Sequence, residues 1–287
     1  MPQVGGTIVQ VAPSATHSSG PPESGRGPGL RVEAWAWLSI TRFAGGMLIL
    51  LMLLPLVALL LTTNITDFIA GVKHPLVAPA LRLSLMTTAA SLAINVVAGT
   101  PLAWQLAQRK GKRMRWLELV LQLPIVTPPA VAGIGLLMAF GRHGLVGKYL
   151  ADWGVSVAFT SSAVVLAQVF VSAPLYVQAA HVAFKRVDEN MLMVGRTLGG
   201  SPLRLFFRIA VPGAASGLLA AMAISWARAL GEFGATLMFA GNLTGRTQTL
   251  PLVIYEAMEA DFRAAQALAV VLIAVAFVVL WFTPRAN

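Results

Sequence analysis

Long apolar runs, separated by short polar stretches, make up most of the chain after its first forty residues. Six of them carry no Asp, Glu, Lys or Arg and approach or exceed the roughly 20 residues with which an α-helix crosses a bilayer. They cover residues 43–61, 83–107, 119–140, 155–184, 209–227 and 264–283. We expect the fifth to continue past Arg228 and Glu232 towards Ala240, and the long fourth to include some loop. A membrane barrel would instead show alternating segments about ten residues long. The pattern predicts an all-α integral membrane protein with six transmembrane helices.

The N-terminal segment differs in composition from the rest of the chain. Pro, Gly and Ser dominate residues 13–29, and such a segment cannot bury enough apolar surface to fold. We therefore expect a disordered tail over residues 1–40, followed by the membrane domain over residues 41–287. The polar start and the 19-residue first apolar run do not fit a cleavable signal peptide.

Composition excludes an ordinary soluble protein. Only 11% of the 287 residues are charged and 57% are hydrophobic, whereas soluble domains carry roughly a quarter charged residues. The net charge of +10 would suggest nucleic acid binding in a soluble protein, but here most Lys and Arg residues fall in alternate short loops. That bias predicts that both termini are cytoplasmic and that nucleic acid is not a partner. The chain has no cysteine, and His143 and His181 lack a second ligand at metal spacing, so no metal site is expected.

The loop between the fourth and fifth spans has helix signals of its own. Asp188 is a suitable N-cap with Glu189 in the first turn, Gly199-Gly200 would end the helix, and Ser201-Pro202 would start another. The apolar residues of this short helix share one face and are Met191, Val194 and Leu198. This pattern fits a helix resting on anionic lipid as well as it fits a docking element for a cytoplasmic partner.

The same loop resembles a motif of ABC importer permeases. In that family the motif reads Glu-Ala-Ala, three residues, Gly, nine residues, Ile-x-Leu-Pro, and here Gly199 is followed after nine residues by Ile209-Ala210-Val211-Pro212. The first half departs from the motif, because Met193-Val194-Gly195 stands where Glu-Ala-Ala is expected. The resemblance implies a coupling loop over residues 185–211, whose helix inserts into a groove of the ATP-hydrolysing subunit. It assigns coupling to Asp188, Glu189, Met193, Val194, Gly195, Gly199, Ile209 and Pro212.

A second block is similar to the signature of molybdate permeases. It covers residues 228–242, and residues 247–255, 123–134 and 140–147 extend the resemblance. Sulfate permeases share the architecture but typically have Tyr and small residues where this chain has Phe233-Gly234-Ala235-Thr236. The resemblance implies the type I ABC importer permease fold and a location in the cell membrane. It also implies molybdate as the substrate, and the sequence does not distinguish molybdate from tungstate. A sulfate or thiosulfate importer is the alternative.

The resemblance also implies the partners of the chain. They are a second copy of itself, two ABC ATPase subunits, an extracytoplasmic molybdate-binding protein and the lipid bilayer. The sequence contains no Gly-x-x-x-x-Gly-Lys-Ser/Thr loop. We therefore expect no cofactor and no enzymatic activity in this chain, with ATP and Mg²⁺ held by the partner subunit.

Two features within the predicted spans carry candidate chemistry. Arg228 and Glu232 lie four residues apart, which places opposite charges on one helix face as a structural ion pair or as a gate. Pro124, Pro128 and Pro129 remove helix hydrogen bonds in the third span, and irregular backbone at membrane depth is tolerated only inside protein or along a water-filled cavity.

These features define a candidate pathway for an oxyanion. Hydroxyl and amide donors suit such a pathway because they replace water without trapping the ion. The predicted pathway and gate residues are Thr127, Pro128, Pro129, Ser225, Arg228, Glu232, Phe233 and Thr236. An ion-coupled secondary transporter is disfavoured because no repeat relates the two halves of the chain. An intramembrane enzyme is disfavoured because the sequence has neither His-Glu-x-x-His nor Gly-x-Ser-x-Gly.

Overall fold

A computed structural model describes residues 28–109 and 111–281, and it describes side chains from Trp37 onward except those of Lys110, Leu280 and the last six residues. The described residues form helices and loops without any strand. Contacts group the chain into residues 1–57 and residues 58–287.

The first helix, α1, covers Pro28–Thr62. Of the predicted tail, residues 1–27 lie outside the described part of the chain, but residues 28–40 are helical, so the prediction of disorder is wrong there. The physical reason is local, because Pro28 suits the first position of a helix and residues 30–44 contain no Pro or Gly. Its apolar side chains, such as Phe43 and Leu50, are exposed, as expected for a helix in lipid.

Four continuous segments are long and apolar enough to cross a membrane. They are Trp37–Thr62 within α1, Val77–Gln108 (α3), Ser161–Lys185 (α7) and Phe262–Val279 within α14, which covers Phe262–Trp281. These segments match the first, second, fourth and sixth predicted spans. Because α7 begins at Ser161, the first residues of the long fourth apolar run form a loop, as expected.

The other two predicted spans are broken. Helix α4 (Lys112–Val126) and helix α5 (Pro129–Phe140) meet at an angle of 112°, with the break at Thr127-Pro128. Segments Pro202–Gly213 and Ala215–Leu230 (α11) meet at 76°. Taken as one span each, these pairs complete the six predicted spans.

The segment before α11 is itself irregular. It consists of α9 (Pro202–Leu205), a π-helical turn (Phe206–Ala210) and α10 (Val211–Gly213). Pro212 has no backbone N–H to donate, which favours irregular helix geometry nearby. The remaining described helices are short: α2 (Ile65–Val72), α6 (Gly147–Asp152), α8 (Glu189–Thr197), α12 (Gly234–Ala240) and α13 (Leu250–Ala260).

Helix α7 is the centre of the fold and packs against both α3 and α11. Small residues let these helices approach closely, which matters in lipid because hydrocarbon gives apolar side chains little reason to associate. A Cβ atom added to Gly99 would lie 2.8 Å from Cδ1 of Tyr176, and one added to Gly217 would lie 2.4 Å from Cβ of Ala183. Either substitution would push two helices apart.

A polar cluster fixes the same three helices in register. The Asn95 amide on α3 donates to the Ser172 hydroxyl on α7 over 2.8 Å and to the Ser225 hydroxyl on α11 over 3.0 Å. All three side chains are buried. Hydrogen bonds between buried side chains specify one arrangement of the helices, since any other would leave donors without partners.

Candidate functional site

The break in the third span lies against another break, at residues 231–233, which separates α11 from α12. Helix α5 packs against α12, and a Cβ atom added to Gly234 would lie 2.7 Å from Cβ of Pro129. One turn further along α5, a Cβ atom added to Gly133 would lie 2.6 Å from Cβ of Met238 and 2.8 Å from the carbonyl oxygen of Ala235. The structure therefore brings together the irregular backbone of the third span and that of the segment following the fifth.

The fifth span does not continue to Ala240, so that prediction is wrong. Helix α11 ends at Leu230, and α12 begins at Gly234 after a break at residues 231–233. Phe233 has φ −127° and ψ −57°, which interrupts the helical path. The polar positions from Ser225 to Thr236 consequently do not form one stripe along a single helix.

Glu232 bridges this break with its side chain. One carboxylate oxygen lies 2.7 Å from Nη1 of Arg228 on α11, and the other accepts a hydrogen bond of 2.8 Å from the backbone N–H of Ala235 in α12. The Glu232 side chain is only 1% exposed, whereas that of Arg228 is 34% exposed. A buried carboxylate needs such partners, since its desolvation would otherwise be costly. The guanidinium stays accessible and has further N–H donors that an anion could use.

The predicted pathway residues differ in accessibility. Pro128 and Pro129 are exposed, while Thr127 and Phe233 are half-buried. Ser225 and Thr236 are fully buried, with Ser225 held in the polar cluster around Asn95. The Thr127 hydroxyl donates to the carbonyl of Leu123 over 2.7 Å, which satisfies a group at the end of α4. Thr127, Pro128, Pro129, Arg228 and Phe233 thus remain the accessible candidates near the two breaks.

The break is also tied to the loop that follows α12. The rings of Phe233 and Tyr255 lie 5.2 Å apart between centroids. Glu256 follows Tyr255 in α13, and its carboxylate accepts hydrogen bonds from the side-chain amides of Asn242 and Gln248. Helix α13 therefore supports both the break and the loop.

Several buried polar residues escaped the sequence reasoning. One face of α3 is polar between residues 84 and 95, where its buried polar residues are Ser84, Thr87, Thr88, Ser91 and Asn95. In the loop before α13, Thr247, Gln248 and Thr249 are also buried, and the Ser84 hydroxyl accepts from the backbone N–H of Leu250 over 2.8 Å. The sequence does contain a signal for the polar face of α3. Its hydroxyl residues are spaced three or four residues apart in an apolar span, which places them on one helix face.

The coupling loop contains the predicted short helix. Asp188 caps α8 through a 2.8 Å hydrogen bond from the backbone N–H of Asn190, and Ser201 caps α9 with Pro202 in its first turn. Of the predicted coupling residues, Glu189 and Pro212 are exposed and Ile209 is half-buried. Both helix starts are confirmed.

The apolar face of α8 points away from the chain. The predicted stripe of Met191, Val194 and Leu198 is exposed, as is Met193, and Leu192 alone in α8 is buried. An open groove of about 600 Å³ runs beside this face and is lined by Val194, Leu198 and Ile209, among others. Such a surface fits a protein partner.

The three glycines of the loop, Gly195, Gly199 and Gly200, serve its own structure. A Cβ atom added to Gly195 would lie 2.5 Å from Cδ2 of Leu205 and 2.9 Å from Cδ1 of Ile209, so α8 rests directly on α9 and the π-helical turn. Gly199 has φ +76°, and Gly200 donates to the carbonyl of Gly195 over 2.9 Å. This is the Schellman ending of a helix, in which the left-handed position favours glycine.

A family model of the "Binding-protein-dependent transport system inner membrane component" matches residues 95–285. This chain belongs to that family. The match contains the breaks at residues 127–128 and 231–233, the Arg228–Glu232 ion pair and the coupling loop.

Curated relatives are similar over most of the chain. The "Molybdenum transport system permease protein ModB" of Mycobacterium tuberculosis is 42% identical over 243 residues, covering 85% of this chain and 91% of the relative. The "Probable transport system permease protein NifC" of Clostridium pasteurianum is 41% identical over 69% of this chain and 70% of its own length. The relative named ModB from Escherichia coli K12 is 38% identical over 61% and 77%.

Solved structures show the fold. A bacterial ABC transporter involved in the import of the acidic polysaccharide alginate matches with a TM-score of 0.69 at 14% identity, covering 88% of this chain and 96% of that one. An inward-facing methionine ABC transporter, MetNI, matches with a TM-score of 0.60 at 17% identity, covering 73% and 94%. The predicted ABC importer permease fold is confirmed.

The contact between α5 and α12 gives a first test. We expect Gly133→Ala to lower the thermal stability of the purified permease, because the methyl group would meet Met238 and the carbonyl of Ala235. Gly135→Ala is the matched control, since nothing lies within 4 Å of its added Cβ and alanine favours a helix by about 0.5–1 kcal/mol. Equal melting temperatures for the two variants would contradict the close contact.

The bridge at Glu232 gives a second test. Glu232→Ala removes both the partner of Arg228 and the acceptor for the N–H of Ala235. We expect the free energy of unfolding to fall by about 2–4 kcal/mol. This is less than the loss for a fully buried ion pair, because Arg228 is partly exposed. Glu232→Gln keeps a carbonyl acceptor and should lose less. Denaturant or thermal unfolding in detergent measures both. Equal losses would mean that the N–H of Ala235 does not depend on this side chain.

Proposed function

We propose that this chain is the membrane-spanning permease subunit of an ATP-driven importer of molybdate. The observation that carries the proposal is its 42% identity over 85% of the chain to a relative named as a molybdenum transport permease. The geometry supports a transport role, because the break in the third span packs against the start of α12, and Glu232 joins α12 to the accessible guanidinium of Arg228. Broken helices at membrane depth are typical of substrate sites in transporters.

The site suits a tetrahedral oxyanion bound weakly. Arg228 offers N–H donors, but Glu232 neutralises its charge, so the site attracts an anion without trapping it. The backbone at the two breaks supplies further polar groups, whereas the Thr127 hydroxyl would donate to the anion only after releasing its hydrogen bond to the carbonyl of Leu123. A dense cluster of unpaired arginines would bind the anion too tightly for release.

Energy enters, in this proposal, through a separate ATPase subunit. The exposed apolar face of α8 is its docking surface, with ATP and Mg²⁺ held entirely by that partner. Movement of α8 is transmitted to Leu205 and Ile209, on which Gly195 rests, and from there through the π-helical turn to α11. Helix α11 carries Arg228 and ends at the Glu232 bridge, so the same displacement reaches the pathway.

The full assembly contains two copies of this chain and two ATPase subunits in the inner membrane. Six spans with one polar face form half of a pathway, and a second copy completes it. Both termini lie in the cytoplasm, as the distribution of Lys and Arg favours. An extracytoplasmic molybdate-binding protein delivers the anion to the outer loops. Closure of the ATPases turns the pathway outward, and their separation releases the anion inside.

Transport in vesicles tests the proposal. We expect uptake of labelled molybdate by vesicles that contain this chain, its ATPase and its binding protein, and we expect uptake to require ATP. Tungstate should compete and sulfate should not. Equal competition by sulfate would indicate a sulfate-type importer, and uptake driven by an ion gradient without ATP would overturn the proposal.

The end of α8 tests the coupling route. Gly199→Val places a β-branched residue at φ +76°, where the left-handed conformation costs about 1–2 kcal/mol, so α8 should end differently. We expect membrane insertion to persist while the loaded binding protein no longer stimulates ATP hydrolysis. Gly199→Asn is the matched control, because asparagine tolerates this conformation. Full stimulation in the valine variant would contradict the route.

A further inference from the structure

A second cavity lies beside α8, and none of its lining residues belongs to the apolar groove. It has a volume of about 490 Å³ and is formed where the end of α3 approaches α8 and the start of α9. Its lining includes Trp104, Gln108, Arg109, Arg196, Pro202 and Leu205. The transport proposal assigns no role to this cavity.

The cavity is positively charged. Arg109 ends α3 and Arg196 lies in the last turn of α8, and no carboxylate lines the cavity. Neither arginine forms an ion pair with any side chain that the structure describes. The Gln108 side chain accepts a hydrogen bond of 3.2 Å from Nη2 of Arg196, which orients that guanidinium and leaves its other N–H groups available.

Two guanidinium groups on separate elements fit a phosphate. Their planar N–H forks bind phosphate oxygens in pairs, with shorter and stronger hydrogen bonds than neutral donors make. A bound phosphate would compensate both charges at once and would link α3 to α8 beside the existing bond between Gln108 and Arg196.

The position of the cavity favours a lipid as the source of this phosphate. Helix α3 has 32 residues and is therefore about 48 Å long, which exceeds the roughly 30 Å hydrocarbon core, so the helix must extend into the headgroup region. Trp104 is half-buried there against Phe184 and Phe206, as interfacial aromatic residues often are. On the adjoining segment, Leu203 and Phe207 are exposed apolar residues that acyl chains could cover.

We propose that this cavity binds the phosphate headgroup of an anionic phospholipid and thereby links the coupling helix to the membrane surface. Arg109 and Arg196 hold the phosphate, and Trp104, Pro202 and Leu205 contact the glycerol backbone and the upper acyl chain. Basic pockets between membrane helices on the cytoplasmic side bind anionic headgroups in this way. The bound lipid limits the movement of α8 relative to α3.

Binding of phosphatidylglycerol by the full-length chain tests this proposal without any transport assay. Native mass spectrometry of the purified protein should show saturable binding of phosphatidylglycerol and much weaker binding of phosphatidylcholine. The double variant Arg109→Gln/Arg196→Gln should bind phosphatidylglycerol about tenfold more weakly, as expected when charge-assisted hydrogen bonds are lost. Arg204→Gln is the matched control, because Arg204 is exposed on α9 and does not line the cavity.

Each of the other outcomes would overturn the proposal. Unchanged binding in the double variant, or an equal loss in Arg204→Gln, would show that the cavity does not select the headgroup. Displacement of the lipid by equimolar inorganic phosphate would identify a site for a soluble anion. Weaker association of the double variant with the ATPase subunit in pure phosphatidylcholine would place the two arginines in a protein interface.

Discussion

The carboxylate of Glu232 is the contact on which the geometry of the candidate pathway depends. It is almost fully buried, and its two oxygens are used by two helices, one through Arg228 and one through the N–H of Ala235. At membrane depth a broken helix leaves backbone groups that lipid cannot satisfy. Glu232 satisfies part of that requirement and simultaneously lets a cation remain partly accessible beside the break. A continuous helix would leave no such backbone groups and would require neither Glu232 nor Arg228 at this position.

Close contact between helices is the second constraint. Gly133 and Gly234 let α5 and α12 approach, while Gly99 and Gly217 do the same for α3, α7 and α11. Because lipid does not drive apolar helices together, these short contacts and the Asn95 cluster determine the register of the bundle. The polar side chains of α3 form hydrogen bonds either to the backbone of α3 itself or to a side chain on a neighbouring helix. The bundle can therefore contain a polar pathway without a large polar core.

Much of the architecture could be predicted from the sequence because uncharged runs of membrane length permit few structures. The spans, the short helix α8 with its cap at Asp188, and the start of α9 at Ser201 follow from local rules that act within a few residues. The breaks were only partly predictable. Pro128 and Pro129 indicate the break between α4 and α5. The break between α11 and α12 depends instead on the backbone of Phe233 and on the hydrogen bond that the Glu232 side chain accepts from Ala235, which no local propensity encodes. Likewise, the partners of Asn95 lie 77 and 130 residues away, so only the folded chain reveals them.

The π-helical turn at Phe206–Ala210 lies between α8 and α11 and adds one residue to the helical path that joins them. Each residue of an α-helix rotates the path by about 100°. Deleting a single residue in this turn would therefore rotate the helical path before it by about 100° relative to the path after it. The angular alignment of the exposed face of α8 with the membrane bundle thus depends on the number of residues in this one turn.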